Sequence, residues 1–214
     1  MLRKVILAAA ASTGLAAPAL AQQGDPGRFA IDFGVGTTGG TIEGKFALSD
    51  LIVLRGGYNY LAFELDGEEY DGVVYDSELD FSTFGAFVDV HPFDTGFMVT
   101  GGAYSGSKEL SGSAAPSDPV EIGGMTFTPD EVGQLDFTAD LEDFSPFAGI
   151  GWDSAFTRQG RFNIKLIAGV MFSGAPEVSL DSSGGTLSND PAFQAELAEE
   201  EAALQAEVDD YEYY

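Results

Sequence analysis

Cysteine is absent from all 214 residues, and histidine occurs once. An exported domain without cysteine has no disulfide to staple it and no thiolate to hold a metal. The lone histidine, His91 beside Pro92, has no partner at the spacing that a catalytic triad or a transition-metal site needs. Bases are scarce as well: nine Lys and Arg stand against 35 Asp and Glu, for a formal net charge of −26. Phosphate contacts require lysine and arginine, so nucleic acid is excluded as a partner. "SSGG" and "GGAYSG" lack the lysine of a phosphate loop. Beyond the N-terminus no run reaches about 18 apolar residues, so no transmembrane helix is expected. What is missing argues against an enzyme and against a resident cofactor.

What is present begins with "MLRKVILAAAASTGLAAPALAQQ", a basic start, a short apolar stretch and Ala19-Leu20-Ala21 before Gln22. This is the pattern of a secretory signal peptide with an A-x-A cleavage site. Residues 1–21 are therefore read as a signal peptide and residues 22–214 as a single β-barrel domain.

The rest of the chain alternates. In "RFNIKLIAGVMFSG" Phe162, Ile164, Leu166, Ala168, Val170 and Phe172 share one parity, with Lys165 on the other. Six further stretches repeat this: Phe29–Gly36, 41–48, 51–60, 82–90, 97–106 and 145–153. Successive side chains on a strand point to opposite faces, so each reads as a strand with one apolar face. That predicts seven strands. Their connections are tight at "TTGG", "SD", "HPFDTG" and "FTRQG", and long at 64–80, 109–143 and 177–212. The long connections hold 28 of the 35 acids and no lysine or arginine. Long and short connections at opposite ends are the layout of an outer-membrane barrel. Inside the last long connection, Phe193, Leu197, Leu204 and Val208 keep helical spacing after Asp190-Pro191, an N-cap followed by proline. A short amphipathic helix is expected there.

In a soluble sandwich the apolar face points inward; in a membrane barrel it points to lipid. The apolar face here is aromatic: Phe29, Phe33, Phe46, Tyr58, Tyr60, Phe84, Trp152, Phe162 and Phe172 suit the girdles at a membrane interface. The opposite face carries glycines and charges of both signs. Asp32, Glu43, Lys45, Arg55, Asp89, Asp153 and Lys165 are expected to pair as a network within a narrow lumen. With Phe87 and Phe147 beside them, they read as a plug. A structural or surface role is thus favoured over the alternative, a narrow pore for ions or small solutes. "LDGEEYDGVVYDSELD" does not keep the calcium-loop spacing; weak calcium or magnesium binding, on the order of 10⁻⁴–10⁻³ M, is the most that the acidic loops are expected to offer.

On these residues the chain resembles the small, eight-stranded, OmpA-like outer-membrane barrels of Gram-negative bacteria. It is most similar to an alphaproteobacterial group carrying stretches seen here as "VDVHPFDTGF", "FSPFAGIGW" and "DPAFQAELAEEEAALQ". The resemblance implies an all-β, antiparallel, up-and-down transmembrane barrel of about eight strands in the outer membrane. It further implies a monomer that contacts outer-membrane lipid and lipopolysaccharide and is inserted with the barrel-assembly machinery. Such barrels close with a strand ending in an aromatic residue. "YEYY" at 211–214 is too short to span, so either the eighth strand is cut short, which is the favoured expectation, or the barrel closes irregularly.

Overall fold

The computed structural model describes residues 10–15, 28–70, 73–93, 95–156 and 164–209, with 10–15, 65–70 and 73–75 described by backbone alone. The chain divides into two compact units. Unit 1 comprises Met1–Leu61, Phe81–Ser107 and Asp143–Ser173; unit 2 comprises Ala62–Asp80, Lys108–Glu142 and Gly174–Tyr214.

The fold is all-β and antiparallel, with a helix near the C-terminus. The strands are β1 (Ala10–Leu15), β2 (Phe29–Gly36), β3 (Gly39–Ala47), β4 (Ile52–Tyr70), β5 (Val73–Val90), β6 (Phe97–Pro116), β7 (Val120–Ile122), β8 (Met125–Phe127), β9 (Gly133–Asp140), β10 (Phe144–Asp153), β11 (Ile164–Met171) and β12 (Glu177–Gly184). The helices are α1 (Pro129–Val132) and α2 (Pro191–Asp209).

Within unit 1 consecutive strands pair in order from β2 to β6, and β10 pairs with both β6 and β11. The seven stretches that alternate are these seven strands. Between β11 and β2 lies β1, part of the segment read as a signal peptide. It matches β11 over six positions, Ala10↔Gly169 to Leu15↔Ile164. It meets β2 at only two, Ser12↔Gly36 and Thr13↔Val35, so this join is far from a full seam. The β2–β3 hairpin turns at Thr37–Thr38, where Gly39 takes φ +89°, a region glycine enters without strain.

Unit 2 gathers the three long connections, and they are not loose loops. Strand β9 pairs with β6 and β12, and β7 pairs with β8 across Gly123-Gly124. Its core is Ile122, Phe127, Val132, Phe193 and Leu197, with Leu135, Leu180 and Leu187 packed on it. Helix α2 lies in the last long connection, as expected, and Asp190 Oδ1 accepts the N–H groups of Ala192 (2.8 Å) and Phe193 (3.3 Å). Phe193 and Leu197 face the core, while Leu204 and Val208 are half-buried. The helix lies along β12, the last strand in the sheet order. There Glu201 accepts the N–H of Leu180 at 2.9 Å and Gln205 that of Val178 at 2.8 Å. No helix among the described residues is long and apolar enough to cross a membrane.

Candidate functional site

The alternation of β2–β6, β10 and β11 gives unit 1 an inner and an outer surface of inverted chemistry. Buried are Asp32, Glu43, Lys45, Arg55, Asp89, Asp153 and Lys165, all seven of the charges placed on one face by sequence. Exposed are Phe29, Phe33, Phe46, Tyr60, Phe84, Trp152 and Phe172, together with Ile31, Val99, Ile150 and Val170. Tyr58 is half-buried against Phe84, with ring centres 5.0 Å apart and its hydroxyl 2.9 Å from Ser82 Oγ. Phe162 lies outside the described residues.

The register makes the charge cluster intelligible. Asp32 stands opposite Glu43, and Lys45 opposite Arg55. Like charges facing each other on adjacent strands repel. They find opposite charges on other strands instead. Lys45 bridges Asp32 and Asp153, and Lys165 pairs with Glu43. Arg55 holds Glu43 through Nη1 at 2.7 Å and grips Asp89 at both oxygens, at 2.8 and 3.2 Å. Its Nη2 also donates to Thr100 at 3.0 Å. The Lys45–Asp153 and Lys165–Glu43 pairs join β3 to β10 and β11, strands that are not its sheet neighbours, so they reach across the inside of unit 1.

Beside the charges sits an aromatic layer. Phe87, Tyr104 and Phe147 meet edge to face with ring centres 5.0–5.7 Å apart, and Met98 and Ile167 pack with them. The Arg55 guanidinium lies 4.1 Å from the Phe87 ring centre, a cation–π contact that joins the two layers. Glycines make room for the rings. A Cβ at Gly102 would come within 2.6 Å of Phe87 Cδ1, and one at Gly149 within 3.1 Å of Phe147 Cε1. Sequence reasoning did not single out Thr100, Asn59 or Thr83, which are also buried. Asn59 and Thr83 share the parity of Arg55 and Phe87, which puts them on the same face.

His91 is half-buried and its backbone N–H donates to Leu51 O at 2.8 Å. Among the described residues no three His, Asp or Glu side chains are grouped to hold a metal ion. The acidic connections form a hollow of about 300 Å³ in unit 2, lined by Glu64, Asp76, Glu78, Ser111, Asp136 and Thr138. Asp136 is already engaged there, accepting from Gln134 Nε2 at 2.7 Å.

No protein-family model matches the sequence, and no relative is found among curated proteins. Two solved structures from Acinetobacter baumannii are similar in fold. One is CarO, at 18% identity and a TM-score of 0.49 over 89% of this chain and 87% of that one. The other is CarO2, at 18% identity and a TM-score of 0.51 over 92% and 89% of the two chains. At that identity the likeness to CarO2 concerns the fold alone.

Proposed function

We propose that unit 1 is a β-barrel embedded in the outer membrane, with a filled interior, and that the protein serves the envelope or the cell surface and performs no catalysis. The inverted burial carries this reading. A surface that exposes Phe84 at 66% and Phe29 at 62% while Lys45 and Asp89 stay at 1% is unfavourable in water and favourable in lipid. Strand length agrees: β10 has ten residues, and about 9–11 suffice to span. An eight-stranded barrel has an interior that side chains alone can fill. Here two layers do so, one ionic around Arg55 and one aromatic around Phe87 and Phe147. Outer-membrane lipid and lipopolysaccharide are the partners this surface would meet.

Fractionation of cells combined with gel mobility before and after heating tests location and fold. The protein is expected with the outer membrane, running faster unheated. Single-channel recording of the purified chain tests the filling. No steps are expected from the native protein, and Phe87→Ala with Phe147→Ala should introduce small ones. Steady conductance from the native protein would replace the plug with a pore.

A further inference from the structure

Strand β12 is the last in the sheet order, so one of its edges is not bonded to a strand. On the other edge it pairs with β9, with Glu177 opposite Asp140 and Asp181 opposite Asp136. Side chains of α2 answer the outer edge instead. The primary amide of Gln205 accepts the N–H of Val178 at 2.8 Å and donates to the C=O of Pro176 at 3.0 Å. Those are the donor and the acceptor, one on each side of Glu177, that the peptide groups of an added strand would bond. Two residues on, Glu201 accepts the N–H of Leu180 at 2.9 Å, and a carboxylate has no N–H to return. Helix α2 thus imitates a strand, completely at one position and by half at the next.

The half of the helix that does this is lightly held. Its buried anchors, Phe193 and Leu197, lie in the preceding half, while Leu204 and Val208 are half-buried. Glu200 adds one contact, accepting the N–H of Gly123 at 3.1 Å. Glu207 and Asp209 stand at the C-terminal end, where the helix dipole favours bases, and the last turn has none. The two faces of the sheet beside this edge also differ. Val178 and Leu180 share the apolar one, where Leu180 packs on the core. Glu177 and Asp181 share the other, and each directly faces a carboxylate of β9. Like charges so placed repel, and no lysine or arginine stands on β9, β12 or α2 to answer them.

We propose that the edge of β12 docks an extended segment of a partner protein in which apolar and basic residues alternate, and that residues 199–209 of α2 cover it until that segment arrives. Added as a strand, the segment takes over the backbone bonds of Pro176, Val178 and Leu180. Side chains alternate across a strand, so its apolar residues fall beside Val178 and Leu180 and its bases beside Glu177 and Asp181. The register of the acids selects this partner over an acidic or a wholly apolar one. The assignment is independent of what surrounds unit 1.

Fluorescence anisotropy of a short labelled peptide alternating lysine and valine, titrated with the full chain in non-ionic detergent, reads the docking. A peptide of the same composition with its lysines and valines in separate blocks should bind several-fold more weakly. N-methylation of alternate peptide bonds removes the ladder and keeps the charge, and should weaken binding about tenfold. Gln205→Ala loosens the cover and should tighten binding several-fold. Hydrogen exchange of the complex should show residues 199–209 losing protection while Val178 and Leu180 keep theirs. Equal binding of the alternating and block peptides would overturn the proposal, as would indifference to N-methylation, since either reduces binding to charge attraction. So would a Gln205→Ala chain that binds no better than the native one, or a complex in which residues 199–209 stay protected. Absence of binding to both chains overturns it as well.

Discussion

In unit 1 the side chains away from solvent include Lys45, Arg55, Asp89 and Lys165, while Phe84 and Ile150 lie outside. In unit 2 the arrangement is the familiar one: Phe127, Val132, Phe193 and Leu197 are inside, and Glu199 and Glu207 are outside. One chain thus applies two opposite burial rules. The hydrophobic effect requires only that apolar surface leave water. Unit 2 meets that requirement by packing apolar groups on each other. Unit 1 meets it only if something other than water surrounds it. Charges can then be kept inside because each finds an opposite charge, several of them across the interior. The comparison makes the second unit a built-in control for the first.

Removing the hub of the ionic layer should have the largest effect. Arg55→Met leaves Asp89 buried without its cation and Glu43 with Lys165 alone, and should cost about 3–5 kcal/mol. Urea titration in detergent should show it as a lower midpoint of unit 1. In unit 2 Leu197→Ala removes an ordinary core side chain and should cost about 2–5 kcal/mol. Hydrogen exchange should then speed up in β7–β9 and α2, while the heat-modifiable mobility expected of unit 1 as a barrel should stay. If both variants melt the whole chain in one step, the two burial rules are energetically one unit.

The third variant separates lipid from water as the surroundings of unit 1. Ile150 is 56% exposed on β10. Ile150→Lys should cost about 2–4 kcal/mol if that face meets the bilayer midplane. The same change on a water-facing surface should stay within about 0.5 kcal/mol. Refolding into vesicles, followed by denaturant titration, decides between them.

The smallest effect concerns acid. Glu131 closes a capping box at α1, accepting from the N–H and hydroxyl of Thr128, both at 2.8 Å. Those hydrogen bonds hold its carboxyl below the usual glutamate range. A carboxyl whose pKa is lowered by folding stabilises the fold above the unfolded value, and that contribution fades as pH falls through the folded one. Protection of the Thr128 amide, measured against its intrinsic exchange rate, should therefore fall below about pH 4, and Glu131→Gln should flatten that response.

How much of this could be read from sequence follows the same division. The strands of unit 1 repeat a period of two over eight or more residues, so Phe29 to Val35 and Ile164 to Val170 announce both strand and face. Parity also collected the seven charges that meet inside. It did not say which pairs with which, because Lys45 reaches Asp153 over 108 positions of sequence. The register that brings them together depends on the whole sheet. Asp190-Pro191 and the spacing of Phe193 and Leu197 marked α2, but Leu204 and Val208 are only half covered, and the helix is longer than the apolar spacing required. The long connections were read as acidic loops because charge dominates their composition. Smaller signals were there: "VEIGGMTF" alternates around a Gly-Gly turn, and "TPDE" carries a capping box. Three-residue strands offer too few alternations to stand out against so many acids. Ala10–Leu15 is a different case, since its alanine, serine and threonine residues show no clear face.

The docking of α2 on β12 has a consequence in time. A bare outer strand is an invitation for another chain to add itself. Glu201 and Gln205 answer the two N–H groups of Leu180 and Val178 that such a visitor would use. Their spacing of one helical turn, about 5–6 Å, approximates the two-residue step of a strand, so a helix satisfies donors that ordinarily wait for a neighbouring strand. The helix follows β12 in the chain and cannot dock before the strand is made. Between those two events the outer strand is open to neighbours. Newly made copies crowded together are therefore most exposed to cross-pairing in that interval, and the speed with which residues 191–209 wind and settle sets how long it lasts.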